Sequence, residues 1–354
     1  MYESPINPLH RKRGAHMHPE HGWNMPHHFT NLTQEHRAGK TACGLFDISH
    51  LSKFRIQGNG ALGWLEGLLS NRISRCLDGY GQHTFLLSEE GRIIDRLILF
   101  RESAGRFLLL GHAARERMVL DRLHRYRPDG PLEVQNLTHK RSGLALSGPD
   151  SARVLRNALR SSELPPPMGV LRMMLREQEI ILTHADLAGN PGYELFCPAA
   201  SGICFYEDCF RAGAIPCGSA TRETLRLEQA APDTAMDLEQ ANTPVRAGME
   251  HYCDLSKHYP GADTVRQQHR DGCEKKLASV QCESGSLPPR RGDSVTDELG
   301  RTVGCITSGA FSPTLGQSVA LAYLLRQLCH PGTLLRIRMR GQSIPATVRS
   351  TPEG

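Results

Sequence analysis

The stretch TSGAFSPTLG, at residues 307–316, lies where glycine and proline divide the chain into short apolar runs. The apolar run ALAY follows it at residues 320–323, and similar runs recur on both sides. Many short strands separated by such turn residues are typical of small β-barrels and jelly rolls. The sequence therefore predicts that residues 276–349 fold as a β-barrel or jelly roll.

Upstream of this segment, the sequence alternates between strand-like and helix-like patterns. Apolar runs bounded by turn residues predict strands, and apolar residues at helical spacing predict helices. We expect strands at 52–57, 92–100 and 106–110, and helices at 61–69, 114–126 and 221–229. The β-α-β-β-α order between residues 50 and 130 predicts an α+β domain with an antiparallel sheet.

Composition limits the class of protein. The 354 residues are too many for one compact core and suit two or three domains. The 42 Lys and Arg are dispersed and nearly balanced by 37 Asp and Glu, which argues against nucleic-acid binding. The sequence has no recognisable signal peptide and no apolar run long enough for a membrane, so we expect a cytoplasmic protein. Eleven cysteines without a C-x-x-C spacing indicate reduced thiols rather than a disulfide framework.

Seven motifs along the chain, taken in order, resemble those of one known family. They are GLFDISHL at 44–51, GRIID at 91–95, ALSGP at 145–149, GYEL at 192–195, TRETLRLE at 221–228, TSGAFSPTLG at 307–316 and ALAY at 320–323. Each alone is a weak match, but together they are similar in order and spacing to the glycine cleavage T-protein (aminomethyltransferase) family. The chain is identified as a divergent member of that family.

The resemblance implies an α+β fold with three domains, arranged as a cloverleaf around a central folate channel. In this sequence the first, folate-binding domain would comprise 1–50 with 138–245, the second, an α+β domain, 51–137 with 246–272, and the C-terminal β-barrel 273–354. The implied activity transfers a one-carbon unit from the aminomethyl-lipoyl arm of the H-protein to tetrahydrofolate and releases ammonia. The resemblance thus implies tetrahydrofolate as cosubstrate and a lipoylated H-protein as partner. The oligomeric state is left open.

The position of the catalytic carboxylate is altered. The family places two adjacent carboxylates after G-G-I-I, and the second is the catalytic one; here the pair is Asp95-Arg96. Successive strand residues point to opposite faces, so Asp95 should project away from the channel unless the strand register slips. Asp95 remains the candidate catalytic residue only in that case. Arg96 would either repel an iminium-like carbon or turn aside and leave the pocket without a base.

Three other residues are candidates for binding folate, by the same resemblance. Glu194, in GYEL, corresponds to the carboxylate that pairs with the pterin, and Arg222 lies in the family's A-R-D motif near that pocket. Met236 lies where the family has Y-G-Q-D. Polar and aromatic positions nearby have changed, with Leu187 and Asn190 among the replacements. This pattern is expected if the fold is kept and the ligand has changed or gone.

Three functions therefore stay open. The first is aminomethyl transfer from the H-protein to folate, impaired by loss of the catalytic carboxylate. The second is folate-dependent demethylation of another small methylated donor. The third is a folate-binding or interaction protein without catalysis.

The N-terminal segment is rich in histidine. His16, His18 and His21 lie beside Glu20, and imidazole with carboxylate can bind Zn²⁺ or Ni²⁺. No second ligand cluster follows at fixed spacing, however, and the family segment that this part of the chain resembles binds no metal. We therefore expect no metal.

Overall fold

The computed structural model describes residues 1–185, 191–238 and 243–350. The chain forms two compact units: unit 1 is Met1–Thr84 with Asp95–Arg222, and unit 2 is Phe85–Ile94 with Glu223–Gly354. The three-domain boundaries expected from the sequence stay a prediction. The replacements Leu187 and Asn190 lie outside the described residues.

Strands and helices alternate along the described chain. The strands are β1 Tyr2–Glu3, β2 His16–Glu20, β3 Trp23–His28, β4 Gly44–Asp47, β5 Ser52–Gln57, β6 Tyr80–Leu87, β7 Ile93–Ser103, β8 Arg106–Gly111, β9 Glu133–Asn136, β10 Arg141–Ser147, β11 Val170–Leu175, β12 Gln178–Thr183, β13 Gly192–Pro198, β14 Ile215–Pro216, β15 Lys275–Cys282, β16 Ser294–Thr296, β17 Thr302–Ser312, β18 Gln317–Leu325, β19 Leu334–Met339 and β20 Gln342–Val348. The α-helices are α1 Asn7–Lys12, α2 Leu32–Thr41, α3 Ala61–Leu68, α4 Glu116–Arg125, α5 Ser151–Leu159, α6 Gly202–Arg211, α7 Ser219–Glu228 and α8 Ala262–Asp271.

A six-stranded sheet organises the core of unit 1. Its strand order is β11-β12-β13-β10-β4-β14, antiparallel except where β14 runs parallel to β4. One face carries Leu45, Leu144, Leu146 and Leu195, which pack with apolar residues of α5 and α6 into one core cluster. The alternation of side chains leaves the other face, with Phe46, Ala145, Glu194 and Phe196, pointing away from that core.

The predicted α+β region is confirmed as a five-stranded sheet of order β6-β7-β8-β5-β9, with α3 and α4 between its strands in the sequence. The predicted β-α-β-β-α order was wrong in one respect, because it lacked β6. The reason is the sequence of β6, YGQHTFLL, which has neither a regular alternation nor a continuous apolar run and so gives no strand signal.

The two large sheets face each other in unit 1. Glu179, on β12, forms ion pairs with Arg55 of β5 at 2.8 Å, with Arg141 of β10 and with Arg172 of β11. Burial favours the neutral carboxyl, but hydrogen bonds and charge from Arg55 and Arg172 outweigh it and lower the pKa of Glu179 to about 2. The face opposite the α5–α6 core therefore meets the five-stranded sheet.

The C-terminal segment is a closed six-stranded barrel of order β15-β18-β17-β16-β19-β20, so the barrel alternative is confirmed and the jelly roll is wrong. Its interior is filled by apolar side chains that include Val280, Ile306 and Ile337. The mixture of large sheets, helices and a barrel confirms the α+β class.

The motif at 307–316 is anchored by a buried carboxylate of unit 2. Oδ1 of Asp237 accepts hydrogen bonds from Thr307 Oγ1 (2.5 Å) and Ser308 Oγ (2.6 Å). Oδ2 accepts from Arg226 Nη1 and from the Asp233 N–H, both at 2.8 Å. Four donors converge on one fully buried carboxylate, which explains the hydroxyl side chains of Thr307 and Ser308.

Two expectations from composition can be compared with the structure. All eleven cysteines fall in the described ranges, none of them is joined in a disulfide, and seven are buried. Within those ranges, the chain has no helix both long and apolar enough to cross a membrane.

Candidate functional site

A small cleft in unit 1 is built around Arg222, on the first half of α7. Its Nη1 donates a hydrogen bond of 3.1 Å to Nε2 of His50, which follows β4, and its Nη2 pairs with Glu20 at the end of β2. Burial, followed by the charge of Arg222, lowers the pKa of His50 well below its usual value. The ring is therefore neutral and acts as an acceptor for the guanidinium. The cleft is lined by Glu20, Met25, Pro26, Phe46, Asp47, His50, Cys217, Gly218, Ser219 and Arg222.

The turn that carries His50 is fixed by Asp47. This fully buried carboxylate accepts hydrogen bonds from Ser4 Oγ (2.5 Å), His10 Nε2 (2.9 Å) and the Ser49 N–H (2.8 Å). Burial alone would raise the pKa of Asp47, but these hydrogen bonds and the nearby His10 outweigh it and lower the pKa. Asp47 is thus a structural anion that sets the direction of the turn and holds His50 at the cleft.

Glu194 lies on the same sheet face as Phe46, two strands away. Phe46, Ala145, Glu194 and Thr183 are register partners in one row across β4, β10, β13 and β12. Adjacent strands are ~4.8 Å apart, so Phe46 and Glu194 are separated by roughly 10 Å, with only the methyl group of Ala145 between them. Oε2 of the buried Glu194 accepts hydrogen bonds from Thr183 Oγ1 (2.5 Å) and the Ala185 N–H (3.2 Å).

The row that contains Glu194 and the cleft around Arg222 share one residue. Phe46 belongs both to the row of Glu194 and to the cleft around Arg222. Arg222 is engaged with Glu20 and His50. The row supplies a buried carboxylate and a small residue, and the cleft supplies a cation and a neutral imidazole.

Asp95 and Arg96 point to opposite faces of the five-stranded sheet, as strand alternation predicts. Asp95 is fully buried, and its Oδ2 accepts a hydrogen bond of 3.0 Å from the His112 N–H. Gly111 makes room for it, because a Cβ at that position would lie 2.5 Å from Asp95 Oδ2. Burial raises the pKa of Asp95 to about 7. The Asp95 carboxyl is therefore buried against its own sheet, on the face opposite to Arg96.

Arg96 lies on the face that meets the six-stranded sheet. It shares that face with Ile98, whose row runs through Leu110 to Lys53. The Lys53 Nζ lies 5.9 Å from the ring of Phe196 on the opposite sheet. On β7, Arg96 lies two residues before Ile98 and on the same face. On β13, Glu194 lies two residues before Phe196 and also on the same face. Both residues lie further from the Arg55–Glu179 ion pair than Ile98 and Phe196 do. Both side chains are therefore on the surfaces by which the two sheets face each other.

Met236 is placed in unit 2, on the helical turn Thr234–Leu238. It is half-buried, and its N–H donates to Asp233 Oδ1 at 2.9 Å. Its assignment to folate binding stays a prediction.

Sequence reasoning missed three groups of this region. His50 lies in the GLFDISHL motif and Lys53 follows it, but neither was given a role, and Glu20 was considered only as a metal ligand. Lys53 is buried, and this burial lowers its pKa to about 7 while its Nζ donates to the Ser49 carbonyl at 2.9 Å. The sequence did contain a signal, because two basic residues lie close together in an otherwise apolar segment that forms a strand. Basic side chains are rarely buried in such a segment unless they have partners.

The raised pKa of Asp95 leads to a pH-dependent prediction. Its folded-state pKa of about 7 lies above the ordinary value of 3.8, so the folded state retains a proton that the unfolded state releases between these limits. Stability is therefore lost as the pH rises through this window. We expect Asp95→Asn to stabilise the protein by ~2–4 kcal/mol at pH 8 and to have little effect at pH 4. Urea unfolding at both pH values measures this.

The matched control is Asp129→Asn, at an exposed aspartate. It should change stability by less than ~0.5 kcal/mol at either pH. An equal effect of Asp95→Asn at pH 4 and pH 8 would show that Asp95 ionises normally in the folded protein.

Comparisons with known proteins bear on the whole chain. Residues 6–257 match the family model of the GCVT N-terminal domain, and residues 275–353 match that of the glycine cleavage T-protein C-terminal barrel domain. An aminomethyltransferase from a Nostoc species is 31% identical over 343 residues, covering 94% of this chain and 90% of that protein. An aminomethyltransferase from Thermosynechococcus vestitus is 30% identical, with 99% and 95% covered.

A solved structure agrees with these sequence matches. The crystal structure of the glycine cleavage system aminomethyltransferase T from Bartonella henselae superposes with a TM-score of 0.91 at 26% identity, covering 99% of this chain and 97% of that one. The two family models together span nearly all of the chain, in the same order as the motifs of the sequence. The chain therefore belongs to the glycine cleavage T-protein family.

Proposed function

We propose that this protein is a tetrahydrofolate-dependent aminomethyltransferase that accepts its one-carbon unit from a lipoylated H-protein in the cytoplasm. Membership of the family over the full length of the chain supports this activity. The observation that carries the proposal is the buried carboxylate of Glu194, held beside Ala145 on the sheet face that points towards the second sheet.

The residues present fit a folate. Its pterin ring offers adjacent N–H donors, which a carboxylate binds well in a bidentate arrangement. Glu194 would hold that edge, beside the small side chain of Ala145. Thr183 and the Ala185 N–H orient the Glu194 carboxylate before any ligand arrives. Tetrahydrofolate, when bound, supplies the nitrogen atoms that take up the one-carbon unit.

The chain's own charges act against the transfer step. A carbon that becomes iminium-like is stabilised by a nearby carboxylate and destabilised by a nearby cation. Two unit positive charges ~4 Å apart repel by about 4 kcal/mol at an effective dielectric constant of 20. A barrier raised by that amount slows the reaction by roughly a thousandfold. With Arg96 at the family's catalytic position, we expect slow transfer.

The activity is tested by turnover. The protein is incubated with H-protein that carries an aminomethylated lipoyl arm and with tetrahydrofolate, and ammonia and methylene-tetrahydrofolate are measured together. Both products in equal amounts support the proposal, even at a low rate. Tight folate binding without either product over hours would contradict it.

A second function, folate binding without catalysis, is favoured by one observation. Arg96 replaces the catalytic carboxylate, and Asp95 is enclosed on the other face of the sheet and cannot take its place. This alternative predicts folate binding with no product from the H-protein. Incubation with a panel of small methylated amines distinguishes this alternative from a demethylase, because a demethylase would remove a methyl group from one of them.

Glu194 gives a binding prediction. We expect Glu194→Gln to weaken tetrahydrofolate binding by at least ~30-fold, because a neutral amide presents one donor to the ring N–H groups and loses a charge-assisted hydrogen bond. Isothermal titration calorimetry measures the change.

The control variant is Glu228→Gln, at a buried carboxylate of unit 2 that accepts a hydrogen bond from Ser312. It should bind tetrahydrofolate like the wild type if Glu194 acts through the ligand. If both variants lost the same tetrahydrofolate affinity while their thermal unfolding stayed unchanged, Glu194 would not be part of the binding site.

A further inference from the structure

The N-terminal hairpin of unit 1 gathers four histidines. His16 and His18 lie on β2, and His27 and His28 lie at the end of β3. His16 pairs with His28, but the next pair is Met17 with Pro26, so His27 is an extra residue in a β-bulge. A bulge re-aims side chains that would otherwise alternate between the two faces of a strand. It brings His27 and His28 together beside β2.

The ring spacing in this cluster suits a shared metal ion. The ring centroids are 4.9 Å apart for His16–His28, 5.5 Å for His27–His28, 5.2 Å for His18–His27 and 6.4 Å for His16–His27. A Zn–N bond of ~2.0–2.1 Å puts the metal ~3.2 Å from each centroid, so two tetrahedral imidazole ligands have centroids ~5 Å apart. Three of the four spacings lie close to that value.

The rings are close together but are not yet aligned around one point. His27 is half-buried in the hairpin. Its Nδ1 lies 3.4 Å from Ser219 Oγ, a contact that orients the ring. His16 and His28 are stacked at 9°, so their nitrogens do not yet converge. His16 and His18 are exposed, so their rings have room to turn about the Cα–Cβ bonds.

We propose that the bulged hairpin is a surface site for one divalent transition-metal ion of the Zn²⁺, Ni²⁺ or Cu²⁺ class, bound by three or four of His16, His18, His27 and His28. Neutral imidazole is the nitrogen ligand that these ions prefer. The expectation of no metal rested on the lack of a second ligand cluster further along the sequence and on a family segment that binds no metal. The hairpin requires no second cluster, because it brings His27 and His28 beside His16 and His18.

The site is tested by titration of the full-length chain, prepared without an affinity tag and stripped with a chelator. Zn²⁺ is added in competition with a chromophoric chelator. The expected result is one ion per chain, with a Kd at or below ~10 µM and a Zn²⁺-dependent rise in Tm. Replacing His16 and His28 together by glutamine should weaken binding by at least ~100-fold and abolish the rise in Tm.

The control replaces His258 and His269, two exposed histidines of unit 2, by glutamine. This variant should bind Zn²⁺ like the wild type. The proposal is overturned if the wild type binds no stoichiometric Zn²⁺, or if the His16/His28 variant retains wild-type affinity. An equal loss in the control overturns it as well, because the ion would then be held by histidines in general. His16→Gln alone, at an exposed position, guards against a folding defect in the double variant.

Discussion

We expect the replacement of Arg96 by aspartate to raise the rate of aminomethyl transfer to tetrahydrofolate by ~100-fold or more. Two effects add: the repulsion between the guanidinium and the iminium-like carbon disappears, and a carboxylate takes its place on the same strand face. Each ~1.4 kcal/mol changes the rate tenfold, so removing a repulsion of a few kcal/mol is enough for this gain. Single-turnover kinetics with aminomethylated H-protein measure the rate of the chemical step.

Two further variants separate the two effects. Arg96→Ala removes the cation without adding a base, and we expect a rate between those of the wild type and Arg96→Asp. Arg92→Asp makes the same charge change at an exposed residue and should leave the rate unchanged. If Arg96→Asp is no faster than the wild type, Arg96 does not face the reacting carbon, or the remaining residues no longer support the reaction.

Replacing Asp237 by asparagine destabilises the fold by ~3–5 kcal/mol. Each oxygen of this carboxylate accepts two hydrogen bonds, from Thr307 and Ser308 on one side and from Arg226 and the Asp233 N–H on the other. The amide nitrogen would face two donors, and the Arg226 guanidinium would lose one of its two carboxylate partners. Thermal and urea unfolding measure the loss.

The matched control is Asp263→Asn. Asp263 also pairs with an arginine, Arg266 at 2.5 Å, but its side chain is 99% exposed. Exposed ion pairs contribute ~0–1 kcal/mol, so this control should unfold almost like the wild type. Similar losses for the two variants would mean that the four hydrogen bonds to Asp237 do not stabilise unit 2.

Local patterns allowed the elements and the barrel to be predicted from the sequence. The helices at 61–68 and 116–125 and the strands at 52–57, 93–103 and 106–111 fall within a few residues of their predicted bounds. Strand alternation alone also put Asp95 and Arg96 on opposite faces. These features depend on neighbours in the sequence, which a single sequence displays.

Features that depend on distant residues could not be predicted. Strand β6 has a mixed pattern, and it is held in place by pairing within its sheet rather than by its own propensity. His50 gains its role from Arg222, far along the chain, and the histidine cluster depends on a bulge that no local rule locates. In each case tertiary contacts decide the role of the residue.

The most direct measurement is a calorimetric titration of the wild-type protein with reduced tetrahydrofolate. The proposed function predicts one site per chain with micromolar affinity. That result would establish that the chain has a functional folate site, and a loss of affinity in Glu194→Gln would assign that site to the face carrying Glu194. The absence of any heat of binding at high micromolar tetrahydrofolate would contradict the proposal, because the chain would then have kept the family fold without binding the cosubstrate.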